Sequence, residues 1–198
     1  MKFMLQDIIS LIILFAVIID PPLSFAFFIS STKGMLKRDK IKIAIYAMVL
    51  AFFISFLFLF GGEIILKIFS ISLNELRIAG GIILGLLGIK MALGLTVSNN
   101  LENQSKHHSG IASIIATPMI SGPACITTII VSSIDFGKII TGISLTVVLL
   151  LTALLLFIAI FFEKNKFGET GIKVTTTIMG MITLAWGVSF ILTGLGLS

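Results

Sequence analysis

The chain is poor in charge and in cysteine, and each shortage excludes a class of protein. Only 12% of its 198 residues are charged, whereas soluble domains carry about 25%. Its single cysteine, Cys125, excludes an intrachain disulfide and makes a thiolate metal cluster implausible. In contrast, 57% of the residues are hydrophobic and the mean hydropathy is +1.18. This is the composition of a polytopic membrane protein, with room for roughly six or seven spans.

Six apolar segments predict an all-α fold with six transmembrane helices. They cover residues 8–31, 43–62, 74–97, 111–134, 139–162 and 174–197. With the N-terminus outside, the basic residues of the inner side are Lys33, Lys37, Arg38, Lys40, Lys42, Lys90, Lys106, Lys164, Lys166 and Lys173. Those of the outer side are Lys2, Lys67, Arg77 and Lys138. The positive-inside rule therefore favours a cell-membrane protein with both termini outside. The net charge of +5 is explained by loops facing anionic lipid rather than by nucleic acid.

Two of the predicted spans are interrupted by proline. Asp20-Pro21-Pro22 lies within the first segment, and Ser121-Gly122-Pro123 lies within the fourth, 101 residues further along when Pro22 is compared with Pro123. Proline removes a backbone donor and cannot continue a helix. Since unpaired backbone groups are costly in lipid, such breaks survive only where they face protein or a water-filled cavity. Paired breaks of this kind are typical of the central site of a transporter.

An internal repeat relates the two breaks. Gly80, Ile82 and Leu84 recur as Gly180, Ile182 and Leu184, at a spacing of 100. The pattern predicts a first repeat over 1–98, a linker over 99–110 and a second repeat over 111–198. Three spans per repeat make the second half enter the membrane from the opposite side, so the repeats are expected to be inverted. Chance similarity between apolar helices is the alternative.

Asp20 is the strongest functional candidate because it is an acid inside a span. A carboxylate there costs about 2.5–3.5 kcal/mol on insertion scales, which marks a functional site by default. Asp followed by Pro is also a helix start, so Asp20 has a structural role open to it as an N-cap. The two roles are compatible.

The residues around the breaks predict a substrate site. A half-helix start carries free N–H groups and a partial positive charge, which suit a carboxylate, whereas Asp20 suits an ammonium group or a coupling proton or Na+. Ser121 or Gly122 could cap the second half-helix. The predicted site residues are Asp20, Pro21, Pro22, Ser24, Ser121, Gly122, Pro123, Thr127 and Thr128. Small polar side chains can alternatively serve helix packing alone.

Charges near the second loop form a possible outer gate. Glu63, Glu75 and Arg77 lie there, and Arg77 is expected to pair with Glu63 or Glu75. Simple interfacial placement is the alternative. No catalytic grouping or metal-ligand pattern is present in the sequence, so no enzyme and no cofactor are expected.

These stretches resemble the MarC family of six-span inner-membrane proteins, once linked to multiple antibiotic resistance. The resemblance covers essentially the whole chain and is carried by residues 19–22, 69–82 and 121–128. The family usually has glycine and proline where this chain has Leu23 and Ala26, and glycine at Ala124. The resemblance implies a six-helix membrane protein, and some members look like transporters or exporters of small neutral amino acids such as glycine and alanine.

The sequence thus predicts a secondary transporter of a small solute, most simply a small neutral amino acid, working by alternating access. Its expected partners are that solute and the lipid bilayer. A passive channel and a non-transporting membrane scaffold are the alternatives. A channel would conduct without saturation, and a scaffold would bind no solute.

Overall fold

The computed structural model describes residues 2–32, 34–94, 120–161 and 169–197. They form seven helices. These are α1 (Lys2–Ile19), α2 (Pro21–Ser31), α3 (Lys37–Ile68), α4 (Leu73–Ala92), α5 (Pro123–Asp135), α6 (Lys138–Ala159) and α7 (Glu169–Gly194). The described residues contain helix and no strand, so the all-α prediction is confirmed for them. The predicted linker 99–110 and the start of the second repeat lie outside the described residues.

Among the described residues, four stretches are long and apolar enough to cross a membrane. They are Leu5–Ser31, Lys37–Ile68, Lys138–Ala159 and Lys173–Gly194. Helix α4 carries three charges in 20 residues, and α5 is a short apolar helix of 13 residues. Helix α3, with 32 residues, is about 48 Å long. It therefore exceeds the hydrocarbon core and extends the predicted segment 43–62 at both ends.

Large apolar side chains cover much of the outer surface of the helices. On α3, Phe53, Leu57, Phe60 and Ile64 are each more than half exposed. Contiguous apolar surface of this kind is unusual on a soluble protein. It suits a helix whose outer face meets lipid.

Glycines allow α4 and α7 to pack with their backbones almost in contact. Gly81 faces Gly187, and Gly88 faces Gly180. A Cβ added to Gly81 would lie 2.6 Å from the Gly187 oxygen, and one added to Gly88 would lie 2.6 Å from the Leu184 nitrogen. Residue numbers rise along α4 as they fall along α7, so the two helices are antiparallel. Small residues permit such close approach in membranes.

The glycines of α4 do not all face α7 in the same way, although the backbone of Gly85 also lies against Gly187. Gly81 and Gly85 stand four residues apart, but a Cβ on Gly85 would meet only the end of the Leu184 side chain, at 3.9 Å. Positions without room for a Cβ against the partner helix recur every seven residues, at Gly81 and Gly88 on α4 and at Gly180 and Gly187 on α7. One heptad keeps the same face of each helix against its partner.

The core is shared between the first and second halves of the chain. The most extensive helix pair is α4 with α7, and α6 packs on α1, α2 and α3. Helix α5 packs on both α3 and α4. The main contacts therefore join one helix from residues 1–98 to one from residues 111–198, and the halves interlock rather than stand side by side.

Candidate functional site

The first break lies between α1 and α2, at Asp20. Its backbone is left-handed, with φ at 44°, a conformation that Asp tolerates better than most residues. Its Oδ1 atom accepts a hydrogen bond from the Leu23 amide at 3.2 Å. The capping role is therefore present, and Pro21 and Pro22 occupy the first turn of α2.

Capping uses only one of the two carboxylate oxygens. Asp20 is 2% exposed, and its Oδ2 atom has no hydrogen-bond partner among the described residues. The Thr176 hydroxyl of α7 lies beside the carboxylate but outside hydrogen-bonding geometry, and it too is buried without a partner. A buried unpaired oxygen carries a desolvation cost that a bound cation or proton would relieve.

Backbone oxygens add to this cation-friendly environment. Because Pro21 and Pro22 have no N–H, the carbonyls of Val17 and Ile18 lose the donors that would follow them in a continuous helix. The hydroxyl of Ser24 donates to the Ile19 carbonyl at 3.4 Å. The end of α1 therefore has carbonyl oxygens without their usual helical donors, as is expected where proline follows.

The second break has the opposite character. Gly122 is the N-cap of α5 and supplies no side-chain hydrogen bond, and Pro123 follows it. The amides of Ala124 and Cys125 belong to the first turn, which has no intrahelical acceptors. Both residues are buried. This helix start therefore suits an anionic group, whereas the start of α2 is already occupied by its own aspartate.

Ser121 does not cap α5. Its hydroxyl donates to the Ala51 carbonyl at 3.1 Å and lies 3.0 Å from the Ser55 hydroxyl, both on α3. A hydroxyl has one proton, so Ser55 is the donor in the second bond. The two serines are fully buried. They fix the second break to α3.

Removing the Ser55–Ser121 pair should weaken the fold measurably. Side-chain hydrogen bonds between membrane helices average about 0.6 kcal/mol. We expect a double-mutant cycle of Ser55→Ala and Ser121→Ala, followed by unfolding in detergent, to give a coupling free energy of that order. Strictly additive effects would show that the hydroxyls do not act together.

Thr127 and Thr128 have hydroxyls that are already engaged as donors. They donate to the Pro123 and Ala124 carbonyls at 2.9 and 2.8 Å. The Thr127 methyl group packs so closely on Gly80 of α4 that a Cβ there would overlap it. Each hydroxyl can still accept a hydrogen bond.

The predicted gate pairing of Arg77 with Glu63 or Glu75 is wrong. Arg77 instead forms an ion pair with Asp135, the last residue of α5. Glu75 forms a capping box with Ser72 at the start of α4. The prediction failed because the packing of α5 on α4 brings Asp135 to Arg77, whereas the Glu75 carboxylate is held by the start of its own helix.

Glu63 is likewise held by other partners. Its carboxylate lies 2.9 Å from the Lys67 ammonium and 3.8 Å from that of Lys138. It thus links α3 to the start of α6, apart from the Arg77–Asp135 pair.

A cavity of about 240 Å³ lies beside the Arg77–Asp135 pair, and we call it the vestibule. Its lining comes from α1, α4, α5, the residue that follows α5, and α7: Ser10, Leu11, Leu14, Arg77, Val131, Asp135, Phe136, Trp186, Ser189, Phe190 and Thr193. Leu14 is six residues before Asp20, about 9 Å along a helix. The intervening Phe15, Ile18 and Ile19 belong to the apolar core, so packed side chains separate the vestibule from the first break.

Sequence reasoning missed Asp135, Ser55 and Thr176. Asp135 ends an apolar segment on the same predicted side as Arg77, and this opposite charge was the available signal. Ser55 is a lone hydroxyl in a phenylalanine-rich span. Nothing in the sequence pairs Thr176 with Asp20.

Comparison with known proteins gives a consistent match. A family model described as "MarC family integral membrane protein" matches residues 5–197. A UPF0056 membrane protein of Pyrococcus horikoshii is 30% identical, over 98% of this chain and 95% of its own. UPF0056 membrane proteins of Buchnera aphidicola (34%, over 82% and 79%) and Bacillus subtilis (30%, over 85% and 84%) are also similar. No solved structure matches the chain.

Proposed function

The chain belongs to the MarC family of integral membrane proteins, and from its two helix breaks we propose that it is a secondary transporter or exporter of a small solute, in particular a small neutral amino acid. It acts in the cell membrane with both termini outside. It catalyses no reaction and needs no cofactor beyond a coupling proton or Na+.

The observation that carries this proposal is the opposite character of the two breaks. Within the described part of the chain, the first offers the unpaired Asp20 oxygen beside Thr176, and the second offers the amides of Ala124 and Cys125, which have no side-chain cap from Gly122. A small amino acid carries one charge of each sign. Asp20 accordingly binds the amine or a coupling ion, and the start of α5 binds the carboxylate.

The small polar side chains complete the site. Ser24, Ser121, Thr127 and Thr128 retain acceptor capacity after their own internal bonds. A substrate N–H group can therefore donate to these hydroxyls without breaking their own hydrogen bonds.

The proposal includes two inverted repeats related by a pseudo-two-fold axis. In such repeats α1 and α2 together are equivalent to α5, α3 to α6, and α4 to α7. Most contacts between the halves fit that relation, whereas the contact of α5 with α6 has no counterpart of similar extent between α1 or α2 and α3. The contact of α1 and α2 with α6 corresponds to the contact of α5 with α3, and both are extensive. The contact of α1 and α2 with α7 corresponds to that of α5 with α4. The equivalent third helices, α4 and α7, contact each other directly. This symmetry suits alternating access, in which the site opens to either face in turn.

Uptake into proteoliposomes tests the function. We expect labelled alanine to accumulate with a rate that saturates with concentration, and unlabelled glycine to compete. Liposomes without protein provide the control. A rate that rises linearly without saturation would favour a passive channel.

The scaffold alternative has its own signature. It predicts no uptake and no shift in thermal unfolding with any amino acid. A flat thermal-shift series together with absent uptake would replace the transporter by the scaffold.

A further inference from the structure

Arg77 and Asp135 are placed against the usual electrostatic preferences of their helices. Asp135 is the last residue of α5, where the helix dipole disfavours a carboxylate. Arg77 lies close to the start of α4. The side chains are only 15% and 32% exposed. Their charges are therefore poorly explained by helix stability and depend on each other.

The pair joins the two halves of the chain beside an open space. Arg77 belongs to residues 1–98 and Asp135 to residues 111–198, and both line the vestibule. Any opening of the halves at this end separates the two charges. Arg77 then keeps only its hydrogen bond to the Asn74 side-chain oxygen at 3.3 Å. Both charges lose their ionic partner, and a partly buried ion left without one is costly.

Among small solutes, a zwitterion satisfies both charges at once. Its carboxylate can accept from the Arg77 guanidinium, which has five N–H donors. Its ammonium group can donate to Asp135. A simple cation or a simple anion would compensate one side chain and leave the other unpaired.

The size of the vestibule limits the ligand. About 240 Å³ corresponds to roughly eight water molecules at about 30 Å³ each. That volume holds a small amino acid with a few waters. Trp186 and Phe190 form an apolar wall, on which a small aliphatic side chain can pack.

We propose that the vestibule is a second binding subsite, where a small zwitterionic amino acid replaces the Arg77–Asp135 ion pair with its own two charges. That the vestibule binds the amino acid on its way to or from the helix breaks rests on the proposed transport function. Binding itself does not require transport, so it can be tested separately.

The fluorescence of Trp186 reports directly on this subsite, because Trp186 is the only tryptophan in the chain and lines the vestibule. We expect alanine to change the emission of the purified protein saturably. Ethylamine and propionate, each with one charge of the zwitterion, should cause no comparable change. Arg77→Gln and Asp135→Asn should each weaken the alanine response at least about tenfold.

Two further variants separate this subsite from the helix breaks and from a structural role. Asp20→Asn should leave the fluorescence response intact even where it stops transport. Arg77→Lys keeps the charge but loses the bidentate fork, and it should bind alanine with intermediate affinity.

Several results would overturn the proposal. An unchanged alanine response in Arg77→Gln, or a response lost in Asp20→Asn alone, would assign the signal to the break. Equal responses to ethylamine or propionate would remove the zwitterion selectivity. No response to alanine in the unmodified protein would show that the vestibule binds no amino acid and that the ion pair serves as a gate alone. If the same preparation still took up alanine saturably, the proposed transport function would stand without the subsite.

Discussion

Replacing Gly88 with alanine is expected to destabilise the protein by about 1–3 kcal/mol, the usual cost of overpacking. The added Cβ would lie 2.6 Å from the Leu184 nitrogen and 2.7 Å from the Gly180 oxygen. Both are backbone atoms, so α4 and α7 must separate. Gly88→Leu should prevent the correct packing of this pair.

Gly85→Ala is the matched control, three residues away on the same helix. Its Cβ has room, with its nearest neighbour at 3.9 Å, and alanine favours the helix by up to about 1 kcal/mol. Cys125, the only cysteine and 2% exposed, allows unfolding to be followed with a thiol-reactive dye during heating. Equal melting temperatures for the two variants would contradict the close approach of α4 and α7.

Asp20→Asn is expected to stop transport while preserving the fold. Asparagine tolerates the left-handed backbone and can still accept the hydrogen bond from the Leu23 amide. It removes the charge of the buried carboxylate and nothing else of importance. We expect the alanine uptake rate to fall at least about tenfold, as a lost charge-assisted contact implies.

Two comparisons make the Asp20 result specific. Asp20→Ala loses both the cap and the tolerance for φ at 44°, so it should also unfold more easily, by about 2 kcal/mol. Asp39→Asn removes a carboxylate from the first turn of α3 and should leave uptake unchanged. Normal uptake in Asp20→Asn would reduce Asp20 to a helix cap.

Much of the fold follows from short-range patterns in the sequence. Long apolar runs predict the helices because each span must satisfy its own backbone in lipid. Asp20-Pro21-Pro22 and Gly122-Pro123 predict the starts of α2 and α5 because proline has no N–H and favours the first turn. Both starts lie at those residues in the structure.

The side-chain partners between helices could not be predicted from the sequence, because they depend on which helices pack against each other. The seven-residue spacing of Gly81 and Gly88 acquires its meaning only once α7 is known to be the partner of α4. Arg77 was expected to pair with a nearby glutamate, and its actual partner Asp135 is 58 residues away in the chain. Ser121 was a possible cap, yet it bonds to α3 because Ala51 and Ser55 lie within reach.

The structure also sharpens the difference between the two breaks. The sequence predicted that both helix starts hold the carboxylate and that only the first brings an acid, Asp20. Asp20 occupies the first with its own oxygen, so only the start of α5 stays available to an anion. One break is thus left for each charge of an amino acid.

Counterflow in proteoliposomes tests the central claim most directly. Vesicles are loaded with unlabelled alanine and diluted into a trace of labelled alanine. A carrier that alternates between two faces predicts transient accumulation of label above its outside concentration, in the unmodified protein and not in Asp20→Asn. Label that merely equilibrates, at the same rate with or without internal alanine, would contradict alternating access and the assignment of the two breaks to a transport site.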